Sequence, residues 1–373
     1  MANLMEYLDF ISNKGLDEEP FNEVDNLVFS LFAYINLQGI KNIEHEFLSI
    51  RDVRDAFFNL HSTKEIKQMN TYTSPAPLLL DPLAVSKRYQ DLKIGYYCDL
   101  LDADDVVQFC AMTFLWNNLV YIAFRGTDHS LVGWKEDFHM SFKSGVPSQV
   151  KAVEYVNSLP LDLSKAIHLG GHSKGGNLAI FASAFCNTKI RENITAVWAN
   201  DSPGFLDDVV QEKSFKDILD KVNLIVPESS VIGMLMDNVV KPKVVKSSAL
   251  FFLQHDAFSW VVEGTKFVES EKISDFANFI NLAIKNFIVK LKPEAREEVV
   301  RLLFYCLESA EIETLMDFRK DRIRAIKKIK ATAEALPDEQ RSVIQGFFAG
   351  LAQSAGNLFM ENLRGRKSGT NEV

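Results

Sequence analysis

The chain has 373 residues, of which 47% are hydrophobic and 24% charged, a composition typical of a globular protein with one sizeable α/β domain and an appended region. No apolar run approaches the roughly 18 residues of a membrane span, and residues 1–10 lack the basic start of a signal peptide, so we expect a cytoplasmic location. The net charge is -9 and the acidic excess lies before Ser270, which argues against a nucleic-acid partner.

The four cysteines are scattered along the chain and form neither a C-x-x-C pair nor a cluster with histidine. This spacing predicts free, buried thiols rather than a disulfide framework or a metal site. We expect neither a metal nor an organic cofactor.

Residues 1–70 are predicted to be mostly helical, because their apolar residues recur at helical spacing. Pro75, Pro77 and Pro82 predict an irregular connection over 71–82. Two strands are predicted next, over 106–115 and 119–124, with a hairpin turn at Asn117-Asn118 between them.

A glycine-containing turn, Arg125-Gly126-Thr127, comes directly after the second of these strands. Such a turn directs the N–H and hydroxyl of Thr127 toward the C-terminal edge of the sheet, where open α/β sheets bind ligands. The alternative is that Arg125 and Asp128 pair and pin a surface loop.

Residues 166–180 contain Gly171-His172-Ser173-Lys174-Gly175 between a strand-like run and a helix-compatible run. This G-x-S-x-G pattern is typical of a nucleophile elbow, in which the serine occupies a tight strand-to-helix turn between small neighbours. Ser173 is therefore the candidate nucleophile, and the N–H of Lys174 is a candidate donor to the oxyanion of a tetrahedral intermediate. A plain glycine-rich turn is the alternative. The Lys174 side chain is expected to be solvated, or else to attract an anionic group of a substrate.

Two further strands, over 194–199 and 222–226, each end in polar residues. The alternation of strands and helices predicts an α/β-hydrolase core, a mostly parallel sheet flanked by helices, within a domain over residues 1–265 that includes the N-terminal helices.

Several motifs keep a fixed order along the chain. They are Pro20-Phe21-Asn22-Glu23-Val24-Asp25-Asn26-Leu27, Phe124-Arg125-Gly126-Thr127, Gly133-Trp134-Lys135-Glu136-Asp137, the elbow itself, Pro203-Gly204-Phe205 and Gln254-His255-Asp256-Ala257-Phe258-Ser259-Trp260. Together they resemble the class 3, fungal-type lipases, and in particular a bacterial branch of lipase-like proteins of unknown function. The resemblance covers about Pro20 to Trp260.

The resemblance implies two further features. Thr127 supplies the second oxyanion-hole donor, and residues 131–144 occupy the place of a lid helix with Gly133 and Gly145 as hinges. A fixed surface loop with a buried Trp134 is the alternative for this segment.

A serine nucleophile needs a base, and His255 is the best candidate among the seven histidines. It follows both strand-end loops, in the Ser…Asp…His order that this fold uses. His172 lies beside Ser173 with a backbone direction that makes it a poor base. A partly buried structural histidine is the alternative for His255.

The acid is less defined by the pattern. Fungal-type lipases carry an Asp after the next-to-last strand, where this chain reads Pro227-Glu228-Ser229-Ser230. Asp201, at the end of the preceding strand, is the preferred acid, and Glu228 is the alternative. A dyad of Ser173 and His255 helped by Ser229 or Ser230 is a third arrangement. Asp256 is disfavoured because its side chain should diverge from the ring of His255.

Beyond residue 265 the pattern predicts a C-terminal helical region over 266–363 and a disordered tail over 364–373. The helix over 319–330 has a basic face opposite Ile323, Ile326 and Ile329. It is either a solvated face of a helical bundle or a peripheral contact with an anionic membrane surface. The sequence does not indicate an oligomeric state.

These features predict a lipase- or esterase-like serine hydrolase that cleaves a small-molecule acyl ester or lipid through an acyl-enzyme at Ser173. Acyl transfer and thioester hydrolysis use the same residues and are alternatives. A non-catalytic binding or scaffold role is the rival, because no Asp follows the penultimate strand.

Overall fold

The computed structural model describes residues 2–62, 65–66, 76–236, 240–274, 277–278, 281–282, 292–310, 322–346 and 349–350. The predicted disordered tail over 364–373 lies outside the described residues, as do parts of the predicted C-terminal helical region.

An eight-stranded sheet forms the centre of the fold, and its strands lie side by side in chain order. They are β1 (Leu48–Ser49), β2 (Lys93–Asp102), β3 (Val107–Trp116), β4 (Leu119–Phe124), β5 (Ala166–His172), β6 (Ile194–Asn200), β7 (Val222–Pro227) and β8 (Lys243–Val245). Strands β1 to β4 pair antiparallel, and β4 to β8 pair parallel. Two short strands, β9 (Val262–Glu263) and β10 (Lys266–Phe267), form a separate antiparallel pair.

Helices cover both faces of the sheet. They are α1 (Leu4–Ile11), α2 (Glu23–Phe32), α3 (Ile50–Leu60), α4 (Leu80–Val85), α5 (Leu131–His139), α6 (Pro147–Ser158), α7 (Lys174–Phe185), α8 (Thr188–Asn193), α9 (Asp207–Gln211), α10 (Lys213–Lys216), α11 (Pro293–Ser309) and α12 (Arg322–Ala335). The predicted fold class, an α/β-hydrolase core, is confirmed. The irregular connection predicted over 71–82 was wrong for residues 76–82, which form a 3₁₀ helix (Ala76–Leu79) and the first turn of α4, where the missing N–H of Pro82 is tolerated. Residues 71–75 lie outside the described residues.

The side chains of β3 show why the sheet needs helices on both sides. Phe109 and Ala111 point into the core that α6 and α7 cover, whereas Met112 and Phe114 belong to the core under α1 and α2. Alternate residues of a strand face opposite sides of the sheet, so a strand that is apolar on both faces needs helices packed on each of them.

The hairpin between β3 and β4 is confirmed, with Trp116 paired to Leu119 across the turn. Asn117 takes a φ of 51°, a left-handed conformation that asparagine tolerates better than most residues.

Parallel pairing brings the C-terminal ends of β4 to β7 to one edge of the sheet. Thr127, Ser173, Asp201 and Glu228 each follow one of these ends. Residues far apart in the chain are thereby collected along a single edge, which is where open α/β sheets bind ligands.

The prediction of a helical region over 266–363 was wrong at its start, because Lys266–Phe267 form β10 and Glu269 pairs with Val245. Further on, α11 and α12 are helices, and α11 begins with Pro293, which a first turn accommodates. Val300 and Phe304 of α11 pack with Leu131 of α5, so this region rests directly on the sheet domain. The domain boundary at residue 265 stays a prediction. Within the described ranges, no helix is both long and apolar enough to cross a bilayer.

All four cysteines are free thiols, and the prediction that they are also buried holds for three of them. Cys110, Cys186 and Cys306 are buried, and Cys98 is partly exposed.

Candidate active site

Ser173 lies between β5 and α7 with a φ of 59° and a ψ of -132°, outside the conformations that non-glycine residues prefer. A Cβ on Gly175 would lie 2.1 Å from the carbonyl oxygen of Phe124, and one on Gly171 would lie 2.3 Å from the carbonyl carbon of Gly175. Both positions therefore exclude any side chain. The predicted strained turn and its need for small neighbours are confirmed.

The structure brings Ser173, His255 and Asp201 into one hydrogen-bonded chain. His255 Nε2 lies 3.1 Å from Ser173 Oγ, and His255 Nδ1 lies 2.6 Å from Asp201 Oδ2. An Nδ1–H that donates to the carboxylate leaves Nε2 as the acceptor for the serine proton. The His255 side chain is 13% exposed and that of Asp201 only 1%, so the acid is shielded while the base faces the site.

Asp201 is held by its own set of donors at the end of β6. Its Oδ1 accepts hydrogen bonds from the N–H of Gly233, at 3.1 Å, and from the hydroxyl of Ser230. Its N–H donates to the carbonyl of Ile225 at 2.7 Å. In the dyad arrangement Ser229 or Ser230 would have taken the place of the acid beside His255. The structure instead has the Ser230 hydroxyl donating to the carboxylate of Asp201.

The alternative acid, Glu228, is engaged elsewhere. Its Oε2 accepts a hydrogen bond from the Ser270 hydroxyl at 2.7 Å, and the N–H of Ser270 in turn donates to the carbonyl of Val244 in β8. Asp256 accepts from the N–H of Phe258 at 3.1 Å and caps the turn that follows it. The geometry therefore favours Asp201 as the partner of His255.

The turn after β4 lies directly against the nucleophile. A Cβ on Gly126 would lie 3.1 Å from Ser173 Cβ and 2.5 Å from the carbonyl oxygen of His172. Arg125 forms ion pairs with Asp99 at 2.8 Å and with Asp128 at 3.5 Å. The pairing of Arg125 with Asp128 that the sequence offered as an alternative is therefore present in the same turn that approaches Ser173. The donor role of Thr127 stays a prediction, which this close approach supports.

Lys174 is the first residue of α7, and its N–H therefore has no acceptor within the helix. Its side chain is only 1% exposed, and Nζ donates to the carbonyl oxygen of Gln108 at 2.9 Å and to Glu136 Oε2 at 3.0 Å. Both sequence expectations for this side chain, solvation and attraction of an anionic substrate, were wrong. The buried partner Glu136 lies 38 residues away in the chain, and nothing local signals it.

His172 has a supporting contact that sequence reasoning missed. Its Nε2 lies 2.8 Å from the carbonyl oxygen of His255, and its Nδ1 lies 3.1 Å from the hydroxyl of Tyr34. A carbonyl only accepts, so Nε2 carries the proton and Nδ1 accepts from Tyr34. Burial, assisted by the neighbouring His255, lowers the pKa of His172 to about 3 and keeps the ring neutral. A neutral histidine thus tethers the main chain of the candidate base.

Comparison with known proteins gives one family match. The family model described as Mbeg1-like matches residues 83–305, a range that contains Thr127, Ser173, Asp201 and His255. Among solved structures, the chain is similar to the M37 lipase, with 16% identity and a TM-score of 0.35 over 56% of this chain and 68% of that chain. It is also similar to the native lipase–propeptide complex of Rhizomucor miehei, with 15% identity and a TM-score of 0.27 over 42% of this chain and 57% of that chain. No curated protein matches this chain.

Proposed function

Because the chain belongs to the Mbeg1-like family, a lipase-like family, we propose that it is a serine hydrolase that cleaves carboxylic esters through an acyl-enzyme at Ser173. The observation that carries this proposal is the hydrogen-bonded chain from Ser173 Oγ through His255 to Asp201, with distances of 3.1 and 2.6 Å. In serine hydrolases this arrangement of serine, histidine and acid activates the serine hydroxyl as a nucleophile.

In the proposed mechanism, His255 Nε2 takes the proton of Ser173 as Oγ attacks the ester carbonyl carbon. The N–H groups of Lys174 and Thr127 donate to the oxyanion that forms, and Asp201 stabilises the imidazolium. His255 then returns the proton to the leaving alcohol. Water, activated by the same base, hydrolyses the acyl-enzyme and frees Ser173.

An apolar surface beside the base supports an apolar acyl group as the substrate. Leu250, Phe251 and Leu253 are 69%, 51% and 58% exposed, and they lie on the turn that leads into His255. Gln254 anchors the inner side of this turn, because its Oε1 accepts from the N–H of Ser229 at 2.8 Å. Large apolar side chains displayed on an anchored turn next to a reactive centre are typical of a binding surface.

The test is covalent labelling by a fluorophosphonate, in which Ser173 Oγ bonds to phosphorus and fluoride leaves. We expect one label per chain, mapped by mass spectrometry to the peptide that contains Ser173 and absent from Ser173→Ala. Turnover of a panel of acyl esters is then expected from the same preparation. A folded wild-type protein that takes up no label and hydrolyses no ester would instead support the binding or scaffold role.

Peripheral membrane contact through the basic helix over 319–330 is a separate proposal, and the structure describes its part within α12. Ile323 and Ile326 are 70% and 54% exposed, and Lys327 and Lys330 are exposed beside them. Such a mixed surface suits anionic headgroups. We expect the protein to sediment with phosphatidylglycerol vesicles at low salt and less so for Lys327→Glu/Lys330→Glu. Equal sedimentation of both proteins would remove this proposal.

A further inference from the structure

Two consecutive acids on α5 contact the two residues proposed to form the oxyanion hole. Glu136 Oε2 accepts a hydrogen bond from Lys174 Nζ at 3.0 Å, and Asp137 Oδ2 accepts one from Thr127 Oγ1 at 2.5 Å. Lys174 and Thr127 come from different strand ends, after β5 and β4, so α5 ties together two separate turns.

We infer that Glu136 and Asp137 are positioning residues that hold both oxyanion-hole donors in place, so that the hole is formed in water without a lipid interface. The inference rests on the proposed function and adds a substrate class to it: esters dissolved as single molecules. Glu136 and Asp137 act through Lys174 and Thr127, and neither is assigned a contact with the substrate.

The contact between Glu136 and Lys174 is rigid because both partners are tied to main chain. Glu136 is fully buried, its Oε1 accepts from the N–H of Ser148 at 2.7 Å, and its Oε2 also accepts from the N–H of Gln108 at 3.1 Å. Lys174 in turn donates to the carbonyl of Gln108. Movement of α5 away from the elbow would leave a buried charge without its partner, which proteins strongly resist.

The Thr127 hydroxyl donates its proton to Asp137 and is therefore not available to an oxyanion. The Thr127 N–H remains as the donor that would face the oxyanion. Although 31% of the Asp137 side chain is exposed, its Oδ1 atom is buried, and burial raises the pKa of the carboxyl to about 6. Lys174 and the Thr127 hydroxyl act in the opposite direction. The methyl group of Thr127 also packs against α5, since a Cβ on Gly133 would lie 2.9 Å from Thr127 Cγ2.

The outer side of α5 and the chain that follows it are held by α11. Lys135 pairs with Glu308 at 3.2 Å and Lys143 with Glu297 at 2.7 Å, while Arg296 donates to the carbonyl of Ser141 at 2.9 Å. These contacts hold α5 on both sides. The segment is a helix with a partly exposed Trp134, so it is not the surface loop with a buried Trp134 that the sequence offered beside a lid. Gly133 lies close to the side chain of Thr127, and the hinge roles of Gly133 and Gly145 stay predictions.

The experiment compares wild type with Glu136→Gln, Asp137→Asn and the control Glu154→Gln, which removes a charge from an exposed pair with Lys151 on α6. A soluble short-chain ester gives kcat and KM. A trifluoromethyl ketone probes the hole itself, because its alkoxide adduct with Ser173 occupies the oxyanion position. We expect each α5 variant to lose about 10²-fold in kcat and in ketone affinity with KM unchanged, since small misplacement of catalytic donors costs about that factor. The control should match wild type.

A second measurement follows the wild-type rate as the ester concentration crosses its solubility limit. We expect a smooth saturation curve, whereas an abrupt rise on aggregation would overturn the inference. The inference would also be overturned if both α5 variants had the same kcat and ketone affinity as wild type. The proposed function would still stand in that case, because the comparison requires a wild-type protein that hydrolyses the ester. If Glu136→Gln fails to fold, the double variant Lys174→Met/Glu136→Met removes the charged pair without an unpaired charge, and the same loss in kcat is expected.

Discussion

Replacement of His255 by alanine is expected to lower kcat for ester hydrolysis by about 10⁶-fold, the loss seen when a serine hydrolase is deprived of its base. His255 Nε2 lies 3.1 Å from Ser173 Oγ, and without it the hydroxyl remains a weak nucleophile at neutral pH. The residual rate should come from substrate binding and the oxyanion hole alone. The measurement is kcat for a soluble ester, with the rate of fluorophosphonate labelling as a second readout.

The matched control is His45→Ala, which removes a histidine whose side chain is 83% exposed and lies far along the chain from the elbow. It should retain wild-type kcat and labelling. His172 is unsuitable as a control because its ring tethers the carbonyl of His255. A folded His255→Ala variant that labels at the wild-type rate would exclude His255 as the base and leave Ser173 without an identified activator.

Asp201→Asn is expected to lower kcat by about 10⁴-fold, because an amide in place of the carboxylate favours the wrong tautomer of the histidine and cannot stabilise its charged form. The 2.6 Å contact between Asp201 Oδ2 and His255 Nδ1 carries this prediction. The N–H of Gly233 and the hydroxyl of Ser230 still find an acceptor in the amide oxygen, so the loop should keep its conformation. Kinetics and a thermal melt of the same preparation separate catalysis from stability.

Glu228→Gln is the control for this variant, since it makes the same chemical change at the alternative acid. We expect its kcat to stay near wild type, because Glu228 accepts a hydrogen bond from Ser270 rather than from His255. A larger loss in Glu228→Gln than in Asp201→Asn would reverse the assignment of the acid. Equal and small losses in both would favour a dyad.

Strands β3 to β7, the hairpin at Asn117 and the elbow at Ser173 were predictable because each depends on neighbours in the chain, whereas β1, β2 and β8 were not predicted. A run rich in β-branched and aromatic residues forms a strand buried on both faces, and an asparagine pair turns the chain back. The elbow requires Gly171 and Gly175 within two residues of the serine, so five consecutive residues determine its geometry.

Choosing among the candidate acids required knowledge of which loops meet at the sheet edge. Asp201 and Glu228 both follow parallel strands, and the sequence preferred Asp201 but left Glu228 and a dyad open. Asp201 lies next to His255, 54 residues away, because the ring of His255 reaches the end of β6, although the adjacent Gln254 is anchored to Ser229 after β7. Loop placement of this kind depends on anchors such as Gln254 and His172, whose partners are distant in the chain.

Lys174 shows most clearly which features follow from the local sequence and which depend on the tertiary structure. Its position as the first residue of a helix follows from the chain itself, as does its unpaired N–H, because helix starts obey local rules. Whether its ammonium group met water, an anionic substrate or Glu136 was decided by the packing of α5 onto the elbow and of α11 onto α5. Local propensity and spacing thus place the nucleophile, whereas burial of distant charges and the docking of separate helices determine what surrounds it.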